Sequence, residues 1–538
     1  MSIVQTSKSN NWEYLVPVLV TVSLIVACAI ASAKKTFWND ELLSFYLLND
    51  PSFTHMMIAW GDTFNQAPPL YFILGWVWAK LFGNTELSLR LFSSLSISVA
   101  FTLVWITLRR TYNFWAVSIG TLSVFCLSEL ILYHNVEVRM YGLFAAVCAL
   151  GLLQFDAINR TEKYSTKLLV TNNLIHSAIV LTHLYGILYS GAILAVFILR
   201  DIYFFKGKNW RNNVYLSVIL GWSVLIPCIA PLLNQSNNHA KWFTHVSSST
   251  LLNYFIFSPK FALLVLALLL ASVFLYISKE AATHSYSRSQ VEPGNDMQEA
   301  QPPLVQDVPS TNFSAEFSLL LLAGAFMAVP ILAWIISLTI KPILNDRYII
   351  PTIAISWPIL MAYLSSRLFP NFRLLNQQKL ILVVLTASLL IHPIYSAKVV
   401  GSYSPKPGMN DQKYGYSELP IAMEAGHDFL PRFHYSSKPS RYFHILDWEI
   451  ALKNTESAYA TGNYTHIAAL QRRYPFINIM QNQDFLDKYD RFLVLNETDQ
   501  KWFEWRVQNN PKYQVKSLGI VEEGAVSPLE LFLVDRKK

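Results

Sequence analysis

The sequence predicts a polytopic α-helical membrane protein of about 11 transmembrane helices, with interfacial helices in its first outer loop and a small C-terminal α/β or α+β extracytoplasmic domain. Three observations carry that reading. Of 538 residues, 53% are hydrophobic and only 14% charged, where soluble proteins carry about 25% charged residues. Apolar runs of about 20 residues, the length of one bilayer crossing, recur as far as residue 400. After that point the composition becomes that of a soluble module.

Composition also excludes some classes. Much of the +7 formal charge sits in short loops, as membrane topology requires, so nucleic acid is not an expected partner. Aromatic residues (14%) recur at the ends of apolar runs, where amphipathic rings favour the headgroup layer. Cys28, Cys126, Cys148 and Cys228 all lie inside apolar runs and read as small buried hydrophobes, leaving no disulfide framework or thiolate metal site for the aqueous parts. The first run is followed by Lys34-Lys35 rather than by a small-residue cleavage site, so a retained helix is expected.

Crossings are predicted near 14–33, 88–108, 114–133, 140–158, 168–184, 186–205, 214–233, 256–278, 316–340, 348–366 and 379–397. The positive-inside rule tests the count. With the N-terminus cytoplasmic, inside loops hold Arg109-Arg110, then Arg160 to Lys167, Arg200 to Arg211, Lys279 and Arg288, and Arg367 to Lys379. Outer loops carry fewer basic residues, although Lys34-Lys35 and Lys341 run against the trend. Residues 1–400 thus form the transmembrane domain. Within it, 279–312 is polar and rich in Pro, Ser and Gln, and is expected to be a disordered cytoplasmic loop. Residues 401–538 form the external domain, with strand-like runs "RFLVLNE" and "LELFLVD" and a helix around "DQKWFEWRVQN".

The first outer loop, 34–87, reads as short helices along the interface: Asp40 to Asn49, Thr54 to Thr63, and a run opened by Pro68-Pro69 and stopped by Gly83. It places two carboxylates, Asp40 and Glu41, side by side. One reading is helix capping, with Asn39 as N-cap and acids complementing the helix dipole. But capping requires one acid, and these are hemmed in by Phe37, Trp38, Leu42, Leu43 and Phe45. An acid so enclosed is a candidate for proton abstraction from a sugar or other hydroxyl.

The second outer loop, "LYHNVEVRMYGLF", holds Glu137, Arg139 and Tyr141. On a helix beginning near Val136, Glu137 and Tyr141 share a face. A helix-end ion pair with an interfacial tyrosine is the structural reading. The functional one gives Arg139 a phosphate, which a planar guanidinium binds well, since charges this close to lipid are expensive. Arg347 and Tyr348 in "KPILNDRYIIP", and His183 and Tyr185 in "LTHLYG", are assigned to the same side. No phosphate loop, dinucleotide fingerprint, His-Glu-x-x-His or Asp-x-Asp occurs.

The run "FWNDELLSFYLL" followed by "NQAPPLYFILGWVWAKLFGNTELSLRLFSSL" resembles the start of the protein mannosyltransferase-like (family 39 type) glycosyltransferases. These belong to the C-fold superfamily of membrane glycosyltransferases, which includes the bacterial aminoarabinose transferase. The pattern comprises Asp40-Glu41, Pro68-Pro69-Leu70-Tyr71, Leu81-Phe82-Gly83, Thr85-Glu86 and Leu89-Arg90; Glu137-x-Arg139-x-Tyr141 and Arg347-Tyr348 match later motifs. Asn65-Gln66-Ala67 departs from it, standing where many relatives place a histidine or acid before Pro-Pro.

The resemblance implies transfer of a monosaccharide, with inversion, from a polyprenyl-phosphate donor to a hydroxyl acceptor (lipid, polysaccharide or protein) on the outer face of the cytoplasmic membrane. Asp40 would be general base, and Glu41 and Glu137 would support it. Arg139 and Arg347 would hold the departing phosphate, and Tyr141, Tyr348, His183 and Tyr185 would line the site. A divalent metal is possible, with no ligands assigned. The competing class is a membrane transporter of a glycolipid or small polar solute, against which the chain shows no matching halves with broken helices.

Overall fold

The structure, a computed structural model, describes residues 11–62, 67–205, 210–236, 310–340, 343–368, 376–400, 414–453, 460–497, 501–524 and 527–537. It opens with α1 (Leu15–Ser32) and three short helices, α2 (Asn39–Leu48), α3 (Phe53–Gly61) and α4 (Leu70–Phe82). Then come α5 (Glu86–Arg109), α6 (Phe114–Leu127), α7 (Glu129–Asn135), α8 (Tyr141–Asn159), α9 (Thr166–Thr182) and α10 (Gly186–Phe205). The helical part closes with α11 (Asn212–Trp222), α12 (Ile229–Ser236), α13 (Ser310–Thr339), α14 (Trp357–Leu368) and α15 (Asn376–Val400).

The chain is a multi-pass membrane protein. Ten of the eleven predicted crossings coincide with helices; the eleventh, 256–278, lies outside the described residues. Among the described residues, seven helical spans are long and apolar enough to cross on their own, or eight if one bent pair is counted as a span. That pair corrects the expectation of one straight helix over 114–133: α6 and α7 meet at 67°. Ser128 is the cause, since its backbone is extended and its side chain accepts the Ile131 N–H to cap a new helix. The predicted loop 279–312 lies outside the described residues except for its last three, which begin α13.

Packing follows side-chain size. Helix α8 presses on α5 at Gly142, where an added Cβ would lie 2.8 Å from the Ser93 carbonyl oxygen, the close approach that small residues allow between membrane helices. On α1, Val20 and Leu24 are buried while Val18, Leu19 and Val22 are exposed, so one face packs and the other suits lipid. The 24 residues of α5 span about 36 Å. Near the Arg109 end, basic residues pair with acids: Arg109 with Glu13 at 2.6 Å, Arg160 with Asp156 at 2.8 Å, and Arg211 with Asp201 at 2.6 Å.

The first loop builds three helices close to the predicted limits. The expected N-cap of α2 shifts: Trp38 takes that place, and Asn39 is the first helical residue. The Trp38 N–H is accepted by Glu41 from the third helical position, at 3.3 Å. Helix α4 has 13 residues, too few to cross a bilayer. It ends at Gly83, whose φ of +85° few other residues tolerate.

The C-terminal part is a six-stranded sheet in the order β3-β2-β1-β4-β6-β5. Its strands are β1 (Ile421–Met423), β2 (Tyr442–Leu446), β3 (Ile479–Gln481), β4 (Arg491–Asn496), β5 (Tyr513–Glu523) and β6 (Pro528–Arg536). The first four are parallel. Crossover helices connect them: α16 (Gly426–Tyr435), then α17 (Trp448–Lys453) with α18 (Ala460–Arg473), then α19 (Asn482–Lys488). Strands β5 and β6 extend the sheet antiparallel beyond β4. The predicted strands "RFLVLNE" and "LELFLVD" become β4 and β6, direct neighbours. All five residues of β2 are buried, as a parallel strand covered on both faces requires. The expected helix near 499–509 is a π-helical turn, Phe503–Gln508.

This sheet region sits on the first loop. Tyr474 donates to Asp50 at 2.9 Å, Arg472 and Arg473 clasp Asp62 at 2.6 and 2.8 Å, and the Phe37 N–H donates to the Tyr435 hydroxyl at 2.7 Å. A Gly142→Val substitution should force α8 off α5 and cost about 1–3 kcal/mol, seen as a lower thermal unfolding midpoint in detergent. Gly191→Ala, on a face with nothing within 4 Å, should leave the midpoint unchanged or higher.

Candidate active site

The two adjacent acids of α2 go to different places because successive helical residues point about 100° apart. Glu41 turns inward and is fully buried with Arg90 of α5. Arg90 Nε and Nη2 donate to its two oxygens at 3.0 and 2.8 Å. The same guanidinium donates to the carbonyls of Lys35 and Thr36, at 2.7 and 3.0 Å. Glu41 Oε1 also accepts the Val138 N–H at 2.9 Å. One buried pair therefore ties the turn after α1, the start of α2, the start of α5 and the chain before α8.

That chain corrects a second expectation. Residues 136–140 are not helical; α8 begins only at Tyr141. Bonds to Glu41 and Ser93 hold the turn instead, the Ser93 hydroxyl donating to the Glu137 carbonyl at 2.6 Å. Glu137 and Tyr141 do not share a helix face, yet both still point into the site.

Asp40 keeps 24% of its side chain exposed. Its Oδ2 accepts from Arg347 Nη1 at 2.9 Å and lies 3.8 Å from Arg139 Nη2. Arg139 Nη1 also donates to the Asp40 carbonyl at 3.3 Å. The expected apolar surroundings of Asp40 are thus replaced by two guanidinium groups. Arg347 comes from the 3-10 turn Asp346–Ile349, capped by Asn345, and lies over the Trp38 ring at 5.1 Å.

Behind this ionic cluster stands a wall of rings. His183 lies 4.6 Å from Tyr348 and 6.0 Å from Tyr141, and Tyr185 lies 5.0 Å from Tyr348. The Tyr185 hydroxyl donates to the Ile343 carbonyl at 2.5 Å, and His183 Nδ1 accepts the Tyr185 N–H at 3.1 Å. Glu137 Oε2 meets His134 Nδ1 at 2.5 Å. Burial works against the Glu137 carboxylate, but His134, Lys35 and Arg347 hold it below the usual carboxylate range.

All nine residues singled out in the sequence therefore lie in or against one site. Lys35, His134 and Arg90 belong there too and carried no assignment. Arg90 stood in the Leu89-Arg90 motif, and Lys35 had shown itself only as a basic residue on the wrong side of the topology. The Lys35 amine is buried without a hydrogen-bond partner, as are Glu137 Oε1, Arg139 Nε and Trp38 Nε1. Such atoms cost free energy unless something polar completes them, and here they gather in one place. Alongside lies a mostly apolar cavity of about 750 Å³, with Ala27, Tyr133, His134, Arg347, Ile353 and Pro393 in its walls. Among the described residues, no three His, Cys, Asp or Glu side chains converge near Asp40 as a metal cage would need.

No family model and no curated protein matches the sequence. Solved structures do match the fold. ArnT from Cupriavidus metallidurans bound to undecaprenyl phosphate gives a TM-score of 0.57 at 14% identity, covering 97% of this chain and 98% of that one. The same protein in its apo state gives 0.56 at 12% identity, over 96% and 97%. The archaeal oligosaccharyltransferase AglB from Archaeoglobus fulgidus, in complex with an inhibitory peptide and a dolichol-phosphate, gives 0.41 at 13%, over 92% and 70%. The chain thus shares the fold of ArnT along nearly its whole length, in line with the C-fold implied by its motifs.

Arg90→Ala leaves Glu41 buried without its cation, and should cost about 3–5 kcal/mol. Thermal unfolding in detergent measures it, and Arg90→Lys should recover only part, since an ammonium cannot reproduce the forked contacts.

Proposed function

We propose that the chain is a membrane glycosyltransferase that moves a monosaccharide from a polyprenyl-phosphate donor to an acceptor hydroxyl, with inversion, on the outer face of the cytoplasmic membrane. The observation that carries this reading is the placing of Asp40 Oδ2 at 2.9 and 3.8 Å from two guanidinium groups, next to an apolar cavity that Arg347 also lines. A carboxylate for a hydroxyl proton, cations for a phosphate and apolar walls for a lipid chain are then side by side. ArnT, whose fold is similar, has been captured with undecaprenyl phosphate, a lipid of the class this reading requires.

In the proposed step the acceptor O–H gives its proton to Asp40 while its oxygen bonds to the anomeric carbon. The bond from that carbon to the phosphate oxygen breaks, and its electron pair leaves with the polyprenyl phosphate. The donor diester carries one negative charge and the leaving monoester close to two. The added charge draws Arg139 and Arg347 more strongly in the transition state than in the ground state, which is what accelerates a reaction. Moving Arg347 from Asp40 towards the phosphate would also free Oδ2 for the proton. Glu41 positions the base through Arg90, and Glu137 with His134 borders the sugar. Tyr141, Tyr348, His183 and Tyr185 wall the site. Residues 401–538 form the extracytoplasmic domain in this reading, bearing on the acceptor.

The test is incubation of purified protein with a panel of polyprenyl-phosphate sugars, measuring released polyprenyl phosphate. Asp40→Asn should lower turnover by about 10²–10⁴-fold while donor binding persists. Arg347→Ala should lower it by about 10²–10³-fold. Full turnover by Asp40→Asn, or net movement of an intact glycolipid or solute across vesicles without cleavage, would overturn the reading.

A further inference from the structure

The strand order of the C-terminal sheet changes direction at β1. The chain runs from β1 outward to β2 and β3, then returns to place β4 on the other side of β1. In open α/β sheets, ligands bind outside the carboxyl ends of the strands at such a switch point. Three potential metal ligands meet there. His427 and Asp428 follow β1 in the first turn of α16, and Glu497 follows β4.

His427 Nε2 lies 2.9 Å from Glu497 Oε2 and 3.6 Å from Asp428 Oδ2. One donor atom from each residue falls within 4.8 Å of the others. Donors bound tetrahedrally at about 2.0–2.2 Å lie roughly 3.3–3.6 Å apart, so small adjustments would bring all three onto one ion. Asp428 is 6% exposed. Its Oδ1 is held by Arg432 at 3.1 Å, while its Oδ2 is buried without a hydrogen bond and faces the imidazole. Glu497 Oε1 accepts the Ser527 N–H at 3.3 Å, which leaves Oε2 facing His427. The N-terminus of α16, with about half a positive charge, and Arg432 both oppose a cation, but Arg432 is shared with Glu522 at 2.7 Å, so the two carboxylates leave the cluster net negative. His427 is 17% exposed, which gives an ion a way in.

We propose that His427, Asp428 and Glu497 form a binding site for a transition-metal dication such as Zn²⁺, separate from the site around Asp40. One imidazole and two carboxylates suit that class of ion, with water completing the coordination.

The test uses the full-length chain in detergent, stripped with chelator, dialysed against Zn²⁺ and assayed for bound metal. Co²⁺ serves as a second probe through its visible absorption, which reports coordination geometry. One equivalent of Zn²⁺ per chain is expected. His427→Ala and Glu497→Gln should each weaken binding at least about 10-fold, and Asp40→Asn should not. Zn²⁺ should raise the unfolding midpoint of the wild type but not of His427→Ala. Asp428→Asn, nearly isosteric, repeats the test if His427→Ala misfolds in chelator. Failure to retain stoichiometric Zn²⁺ at micromolar concentration, or equal retention by His427→Ala and Glu497→Gln, would overturn the proposal. Neither result bears on the reaction at Asp40.

Discussion

The buried contact between Glu41 and Arg90 is the constraint on which the rest of the site depends. A buried ion pair adds little net stability compared with well-packed apolar residues, so its value here is geometric. Four of Arg90's hydrogen bonds reach two carbonyls of the turn after α1 and both oxygens of Glu41. Glu41 passes the constraint on to Val138. Asp40, one residue earlier, inherits a fixed position and turns its carboxylate to the guanidinium groups of Arg347 and Arg139. The question raised by two neighbouring acids is thereby resolved: one builds the platform, and the other stands on it facing Arg347 and Arg139.

Much of this was legible in the chain because it rests on local signals. Apolar run length located helices at ten of the predicted crossings, and Gly83 marked the end of α4 as its position suggested. The motif residues Asp40, Glu137, Arg139, Tyr141, Arg347 and Tyr348 came together as expected, with His183 and Tyr185 beside them. What could not be read needed contacts distant in sequence. The break at Ser128 depends on one hydroxyl capping a new helix within an unbroken apolar run, and hydropathy does not register it. The unwound turn before Tyr141 is held by Glu41, 97 positions away, while local pattern favours continuing the helix. Lys35 looked like a topological exception because its burial is set by α7, where Tyr133 lies 4.7 Å from its amine. The parallel order of β1 to β4 is likewise invisible in β1, which is three residues long.

The sheet region and the first loop complete one another. Asp50 lies between α2 and α3 and Asp62 caps the end of α3, while their partners Tyr474, Arg472 and Arg473 follow or end α18. Rings repeat the pattern, with His434 against Phe45 at 4.9 Å and Tyr46 against Tyr474 at 5.8 Å. Opposite charges and edge-on or tilted ring contacts at the same seam fix both spacing and orientation, which charges alone, partly screened by salt, would leave loose.

Helix α16 has a particular place in that seam. Its ten residues make a rod about 15 Å long. One end lies at the reversal of strand order, and the other brings Tyr435 against the amide of Phe37 and the carboxylate of Glu86. Phe37 precedes Asp40 by three residues. The sheet region therefore acts as a strut braced on the loop that carries Asp40 rather than as a passenger, and exchanging it for a foreign module would shift that loop even if every helix of the preceding part were kept.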